Sequence, residues 1–517
     1  MRPTPIKNAL VCMFDSWQFN YTGCYGNDWI KTPNFDRFAR EGVLFENAYS
    51  NSLPTLPVRR SMMTGRYTLH DIGWGPLREQ DTTIADLCWG TDVDSGIAYN
   101  SLPMMMTKGG YARSFAYCKY SRGFDRKFFE KDLLFSQYTF ENFFDDPGFL
   151  ERLSKHPDGV TLMKALRTEF DQFIRDKQYW KSEENQPVVT CTRDAIRMLE
   201  EADRNHPFFI WVDNWDPHEP WDPPSVWDPE MKCPYDPDYE GKDMWFPPFM
   251  PVKDVFTEPQ LNHIRMLYAE KVTLCDKYFG ILMDAVRRLG YEENTLVWLC
   301  SDHGEPMGNG EHGHGLMCKC RPWPYEELVH IPMMVRAPGL PAGKRIKSFV
   351  QDCDCAPTIL DWLGLPVPPN MTGVSLLPLC RGEVEKVRDF AIAGYYDASW
   401  SIITEDWSFI HWLDKLEHAS YAEGMAKVVG DVFKKFHTEL SDTFSKAVEE
   451  ENALATLDGE AQWTCTHGAR MEVPEGDELY DRKTDPFQLH NVIDQYPDVA
   501  HKLYMQLTDF LDDLKSR

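Results

Sequence analysis

No apolar stretch in this 517-residue chain approaches the roughly 18 residues that a membrane span requires. The first apolar run, Ala9-Leu-Val-Cys-Met-Phe14, is too short for the core of a secretory signal with its cleavage site. Basic charge is scarce: 54 Lys and Arg stand against 81 Asp and Glu, a formal net charge of -27. That balance repels polyanions and argues against nucleic acid or an acidic membrane as the main partner, so an anionic ligand needs a locally positive pocket. Among the fourteen cysteines there is no Cys-x-x-Cys pair of the zinc-knuckle kind; the closest are Cys318/Cys320 and Cys353/Cys355. Scattered thiols in a chain with no export signal lead to the expectation of reduced cysteines and a cytoplasmic location. Internal repeats and low-complexity tracts are lacking as well.

What the chain has is enough apolar mass, 43% of its residues, for a large buried core and roughly two or three domain-sized units. Short apolar runs at Ala9–Phe14, Pro207–Val212, Thr295–Cys300 and Ile331–Arg336 read as buried strands. Amphipathic stretches at Pro33–Glu41, Thr190–Ala202 and Gln260–Leu289 lie between them, and the alternation predicts an α/β fold with a large, mostly parallel sheet flanked by helices. The Trp- and Pro-dense stretch Trp221–Val252 has no periodicity and reads as a long ordered loop near the site, with its aromatics as pocket walls. After Gly364 the pattern changes to short strands, at Asp389–Gly394, Trp400–Thr404 and Trp407–Trp412. A helical insertion at about 421–456, a strand and turn at Asp477–Pro486 and a closing helix at Pro497–Lys515 follow. The expected division is a catalytic α/β domain over 1–364 and a smaller α+β subdomain over 365–517. A homo-oligomer stays open.

Polar residues follow three of the strands: Asp15-Ser16, Asp213 to His218, and Asp302-His303-Gly304. In an open α/β sheet that edge is where ligands bind. Each Asp alone reads as a cap or turn residue, but Asp15, Asp302 and His303 together form a carboxylate and imidazole set suited to Mn²⁺ or Zn²⁺, with Ca²⁺ or Mg²⁺ as alternatives. The segment Ser52-Leu-Pro-Thr-Leu-Pro-Val-Arg-Arg-Ser-Met-Met-Thr-Gly-Arg-Tyr67 adds an alcohol, Thr55, which needs metal activation to attack at neutral pH. Arg59, four residues on, projects to the same side if a helix begins near Pro57, and its guanidinium suits a phosphoryl or sulfuryl group. His218 is placed to donate to an anionic oxygen or protonate a leaving group. The Gly-rich loop with His312, His314 and Lys319 brings positive charge against oxyanion oxygens. A second ion on Asp216, His218 and His314 is the less favoured arrangement, because Asp216 and His218 are two residues apart in a proline-constrained loop.

Taken together, these motifs resemble the sulfatase family of the alkaline phosphatase superfamily, almost from end to end. The resemblance rests on Gly23-Cys-Tyr-Gly26, Thr32-Pro-Asn-Phe-Asp36, Glu41 to Tyr49, Pro57/Arg59/Thr64-Gly-Arg66, Gly123-Phe-Asp125, Asp216-Pro-His218, Ser301-Asp-His-Gly304 and Lys319. Later matches are Asp354-Cys-Ala-Pro-Thr358, Gly373 to Pro378, Leu479-Tyr-Asp481 and Thr484-Asp-Pro486. It implies an alkaline phosphatase-like fold and one divalent cation held by Asp15, Asp302, His303 and the nucleophile. Arg59, His218 and Lys319 then hold the transferred group, and His314 matches the histidine five residues before that lysine.

Three departures stand out. Ser16 replaces a second metal-binding Asp, Tyr117-Cys-Lys-Tyr-Ser121 keeps Lys119 but lacks the family's histidine, and Thr55 occupies the formylglycine position. The hydrated aldehyde has two hydroxyls, one to attack and one to expel sulfate, whereas threonine has one. A threonyl adduct must be hydrolysed at the transferred atom, which phosphorus permits. The expectation is therefore a metal-dependent hydrolase of a small anionic phosphate or phosphonate ester, a diester before a monoester. A sulfatase that does not use formylglycine is the alternative. A non-catalytic binding protein is a third reading, disfavoured by the retention of Asp15, Arg59, His218, Asp302, His303 and Lys319.

Overall fold

A computed structural model describes residues 6–71, 73, 75–101, 110–124, 140–144, 146–160, 162–163, 166–167, 182–228, 230–308, 313–319, 323–396, 398–413 and 474–516. Its centre is an eight-stranded sheet. In chain order the strands are β1 (Asn8–Phe14), β2 (Val43–Tyr49), β3 (Asp94–Ser101), β4 (Tyr117–Phe124), β5 (Phe208–Asn214), β6 (Thr295–Ser301), β7 (Met333–Arg336) and β8 (Lys344–Gln351). Across the sheet the order is β8-β2-β7-β6-β1-β5-β3-β4. Only β7 runs against its neighbours β2 and β6; the other paired strands are parallel.

The central strands are apolar without interruption because both faces are covered. Side chains alternate across a strand, so Leu10, Cys12 and Phe14 enter one hydrophobic cluster and Ala9, Val11 and Met13 the other. The first cluster is closed by helices α1 (Pro33–Glu41), α3 (Pro187–Glu201) and α4 (Glu258–Arg288). The second is closed by α2 (Thr55–Thr64) and α5 (Cys355–Leu363). Helix α4 starts on a capping box in which Thr257 and Gln260 satisfy each other's backbone N–H, with Pro259 just inside. Helix α2 stops at Gly65, whose φ of 65° is left-handed; an added Cβ there meets Met371 Sδ at 2.8 Å.

A second, four-stranded antiparallel sheet follows: β9 (Ala391–Tyr395), β10 (Ser399–Ile403), β11 (Trp407–Trp412) and β12 (Glu478–Asp481). Helix α6 (Pro497–Ser516) lays Leu503, Leu507, Leu511 and Leu514 over Ile392, Ile402, Phe409 and Leu479. Leu376, Leu377, Leu379 and Cys380 still pack in the second cluster of the main sheet. The expected helix at 421–456 lies outside the described residues, as do His312 and Asp125. The 221–252 loop is ordered but turns its aromatics inward: Trp221, Trp227 and Trp245 are buried in the core and do not wall an open pocket. His263 of α4 fastens the loop by facing Asp236 at 3.0 Å and Asp243 at 2.8 Å.

Gly65→Ala forces a left-handed alanine against Met371. It is expected to lower unfolding stability by about 1–2 kcal/mol, read from urea titration. A variant as stable as wild type contradicts this account of the helix end.

Candidate active site

Strand register brings the acidic residues together. Phe14 pairs with Asn214 on one side and Ser301 on the other, so the next residues, Asp15 and Asp302, emerge side by side at the C-terminal edge. Asp213 lies on the same edge, paired with Met13. The turn after β1 is sharp, with Ser16 at φ 61°. That conformation aims the Ser16 N–H at Asp302 Oδ1 (3.0 Å) and its hydroxyl at Asp15 Oδ1 (2.9 Å). Ser16 thus orients two carboxylates. After β6, Gly304 is required by proximity: a Cβ there would fall 2.1 Å from the Glu327 carbonyl oxygen.

Thr55 is the first residue of α2 and is 1% exposed. The chain reaches it through Leu53, whose N–H donates to the Gly394 carbonyl of β9 at 2.8 Å. The Thr55 hydroxyl lies 3.2 Å from His303 Nε2. His303 Nδ1 donates to the Gly304 carbonyl at 2.7 Å, so the neutral ring presents the Nε2 lone pair to Thr55. Burial pushes His303 down to about 4, which keeps that lone pair available. Burial and the neighbouring Asp302 carboxylate push Asp15 up to about 6.

Asp15, Asp302 and His303 are the one group among the described residues whose ligating atoms, all within 4.8 Å of one another, suit a metal ion. Asp15 Oδ2 is buried without a hydrogen bond, although Arg59 Nη2 stands 3.0 Å away. Two carboxylates, an imidazole lone pair and an adjacent alcohol fit a divalent cation. Ser16 adds no charge to that set, and Asp216 is committed elsewhere, at 2.6 Å from buried Lys271. His314 is likewise engaged, facing Glu327 at 3.1 Å and the Gln488 carbonyl at 2.8 Å, with its ring stacked on Tyr325. The second-ion arrangement is therefore not assembled. The expected placing of His314 against a transferred group is also not seen, because both ring nitrogens point to acceptors, one of them beyond β12.

Arg59 differs from expectation in what it grips. Fully buried, it makes a bidentate pair with Asp213 (2.8 and 3.0 Å) and contacts Asp302 at 2.7 Å as well as Asp15. Burial acts to lower its pKa, but the three aspartates more than offset this and hold it well above the ordinary value. A buried guanidinium needs counter-charges, and here they take the face expected to meet substrate. Arg60 is also buried and pairs with Asp81 at 2.6 Å, so the pair is no solvated basic patch.

Lys319 does reach the site. Its Nζ lies 3.3 Å from Ser16 Oγ, 3.0 and 2.9 Å from the two oxygens of Glu219, and 3.3 Å from Glu305. Burial opposes its charge, yet the two glutamates keep its pKa raised. His218 sits beside it, its ring 3.8 Å from that of Trp215 and tilted by 32°, with Nδ1 donating to the Glu219 carbonyl at 2.5 Å. Burial and then Lys319 hold His218 well below the usual histidine value. The neutral ring therefore carries no proton on Nε2 and accepts there, whereas donation was expected. Lys119 is half-buried on the edge strand β4. Sequence reasoning assigned no role to Asp213, Glu219 or Glu305. Spacing carries no signal for them: they are called for by the burial of Arg59 and Lys319, since buried cations are paired.

Two outcomes are expected. Arg59→Lys, a point charge on a different stem, leaves buried aspartates unpaired and costs about 3–5 kcal/mol in chemical denaturation; unchanged stability contradicts the clamp. Asp15, raised to about 6, is protonated below that pH and must lose its proton to bind a cation, whereas His303 is neutral throughout. Mn²⁺ affinity should be flat above pH 6 and fall about tenfold per unit below it. A calorimetric Kd equal at pH 5 and 7.5 contradicts this.

Comparison with known proteins agrees with this geometry. A family model described as Sulfatase matches residues 7–365, and one described as N-sulphoglucosamine sulphohydrolase, C-terminal, matches residues 310–423. An arylsulfatase of Clostridium perfringens is 25% identical over 455 residues, covering 80% of this chain and 87% of that protein. Arylsulfatase K of Bos taurus is 24% identical over 398 residues; the match covers 72% of this chain but 65% of the bovine protein, less than two thirds of its length. Among solved structures, the phosphonate monoester hydrolase of Agrobacterium radiobacter superposes with a TM-score of 0.62 at 19% identity, covering 99% of this chain and 95% of that one. A structure in complex with D-glucosamine-2-N,6-O-disulfate gives 0.61 at 18% identity, covering 99% of both chains. At such identities the structural likenesses carry the fold alone, but the first family model spans well over half the chain. With its Asp-Asp-His cluster at the expected sheet edge, the chain belongs to the sulfatase family, hydrolases that typically depend on a divalent metal.

Proposed function

We propose that this protein hydrolyses a small phosphate or phosphonate ester, a diester in preference to a monoester, through a covalent adduct on Thr55. The observation that carries this is the position of the Thr55 hydroxyl, at the N-terminus of α2 and 3.2 Å from His303 Nε2, beside the Asp15 and Asp302 carboxylates. Asp15, Asp302 and His303 would hold a divalent cation, Mn²⁺ or Zn²⁺ favoured, whose charge would lower the pKa of the neighbouring Thr55 hydroxyl. The helix N-terminus acts in the same direction.

Thr55 Oγ attacks phosphorus as its proton is given up to solvent, the P–O bond to the alcohol breaks, the departing alkoxide takes a proton from solvent, and the adduct is a phosphothreonine ester. Because threonine offers no second hydroxyl, water must attack the same phosphorus to release it. His218, neutral and with Nε2 as an acceptor, takes the proton of that water. Lys319 stands at the side of the site near Ser16 and stabilises charge on the transferred group. Free thiols at all the described cysteines suit a reducing, cytoplasmic setting.

A sulfuric ester hydrolase acting without formylglycine is the second reading, favoured by the printed names of the relatives in Clostridium perfringens and Bos taurus. Turnover of matched para-nitrophenyl phosphate diesters and sulfate esters separates the two. The expectation is preference for the phosphodiester, a loss of at least about a thousandfold in kcat for Thr55→Ala, and retention within about tenfold for Thr55→Ser. Wild-type kcat in Thr55→Ala removes the nucleophile, and a strong preference for sulfate reverses the ranking.

A further inference from the structure

The charge around Lys319 has a consequence for which anions the site accepts. An ammonium has three protons to donate. In Lys319 they face Glu219, through both of its carboxylate oxygens, the carboxyl of Glu305, and Ser16 Oγ. Glu219 is 3% exposed and Glu305 fully buried, so water screens neither. Arg59, the other cationic side chain of the site among the described residues, is already matched by Asp15, Asp213 and Asp302. His218 and His303 are neutral. Burial raises both glutamate carboxyls, Glu305 well above the ordinary value, and Lys319 opposes this. Glu219, with both oxygens on the ammonium at 2.9 and 3.0 Å against 3.3 Å for Glu305, is the closest counter-charge to Lys319.

Glu219 is also held in place. Its backbone carbonyl accepts from His218 Nδ1, the His218 ring packs against that of Trp215, and both Glu219 oxygens are within 3.0 Å of the ammonium. A tetrahedral anion on Lys319 thus meets a fixed carboxyl within 3.0 Å of the same ammonium. One negative charge on the ligand faces the ammonium and a cation on Asp15, Asp302 and His303; a second adds repulsion from Glu219 at short range in a poorly screened site.

We infer that Glu219 is a specificity-determining residue, which neutralises Lys319 and so tunes the site for esters bearing one negative charge over those bearing two. The inference rests on the reading of this site as one that binds a transferred anionic group. It extends that reading by naming the residue that sets the preference for monoanions, phosphate diesters and phosphonate monoesters, over phosphate monoesters, which are dianions near pH 8.

The test is read by binding, so that it stands apart from whether Thr55 is the nucleophile. Wild type, Glu219→Gln and Glu219→Asp, each loaded with Mn²⁺, are titrated at pH 8 with dimethyl phosphate, a monoanion, and inorganic sulfate, a tetrahedral dianion. Wild type is expected to bind dimethyl phosphate more tightly. Glu219→Gln should improve sulfate affinity relative to dimethyl phosphate by at least about tenfold, and Glu219→Asp, which keeps the charge, should hold the wild-type ratio. A reduced folded fraction alters both titrations alike and leaves the ratio intact. An unchanged ratio in Glu219→Gln, a wild type that prefers sulfate, or one that binds neither anion overturns the inference. Failure of the hydrolysis reading shows instead as absent phosphodiester turnover with the anion preference intact.

Discussion

Arg59 ties three buried carboxylates to one helix. Asp15 comes from the end of β1, Asp213 from β5 and Asp302 from the end of β6, and none of them is exposed. Three such charges packed at one sheet edge repel one another strongly at low dielectric. The guanidinium makes their assembly tolerable, because its planar fork serves Asp213 with two bonds and still reaches the others. Since Arg59 lies one helical turn after Thr55, the same contact fixes where α2 begins and brings the alcohol to His303. The Asp-Asp-His cluster and the position of Thr55 thus share one ion-pair network at the sheet edge.

Much of this was legible in the sequence where apolar runs are unbroken. The central strands Asn8–Phe14, Phe208–Asn214 and Thr295–Ser301 are buried on both faces and announce themselves, as do α1 and α4 by their periodicity and caps. The flanking strands were not read as strands. Asp94–Ser101 carries Asp, Ser, Gly and Asn, Tyr117–Phe124 is a polar edge strand, and Lys344–Gln351 is charged on its outer face at the opposite edge. Edge strands owe their place to pairing more than to their own hydrophobicity.

The site shows the same division. Residues at strand ends, Asp15, Asp302 and His303, converge because register makes them converge. Partners of side chains in loops were harder to foresee. His314 follows from sequence spacing alone as a site residue, yet its ring lies between Glu327 and the Gln488 carbonyl, tethering the Lys319 loop to the C-terminal part of the chain. Arg59 and Lys319 were read as free cations awaiting an anion, whereas both are buried and paired. A cation's partners in three dimensions are set by burial, which spacing does not report.

On the proposed reading, family and chemistry diverge at Thr55. The framework that holds it belongs to the sulfatase family, but a single hydroxyl can attack only once, and its adduct must leave by hydrolysis at the transferred atom. The measurement that tests this most directly is mass spectrometry of the Thr55 peptide after acid quenching of the Mn²⁺-loaded chain during turnover of bis(para-nitrophenyl) phosphate. The account predicts a para-nitrophenyl phosphoryl increment on Thr55 that forms and decays with turnover. Steady turnover with Thr55 unmodified at every quench time, or with the increment on another residue, contradicts it.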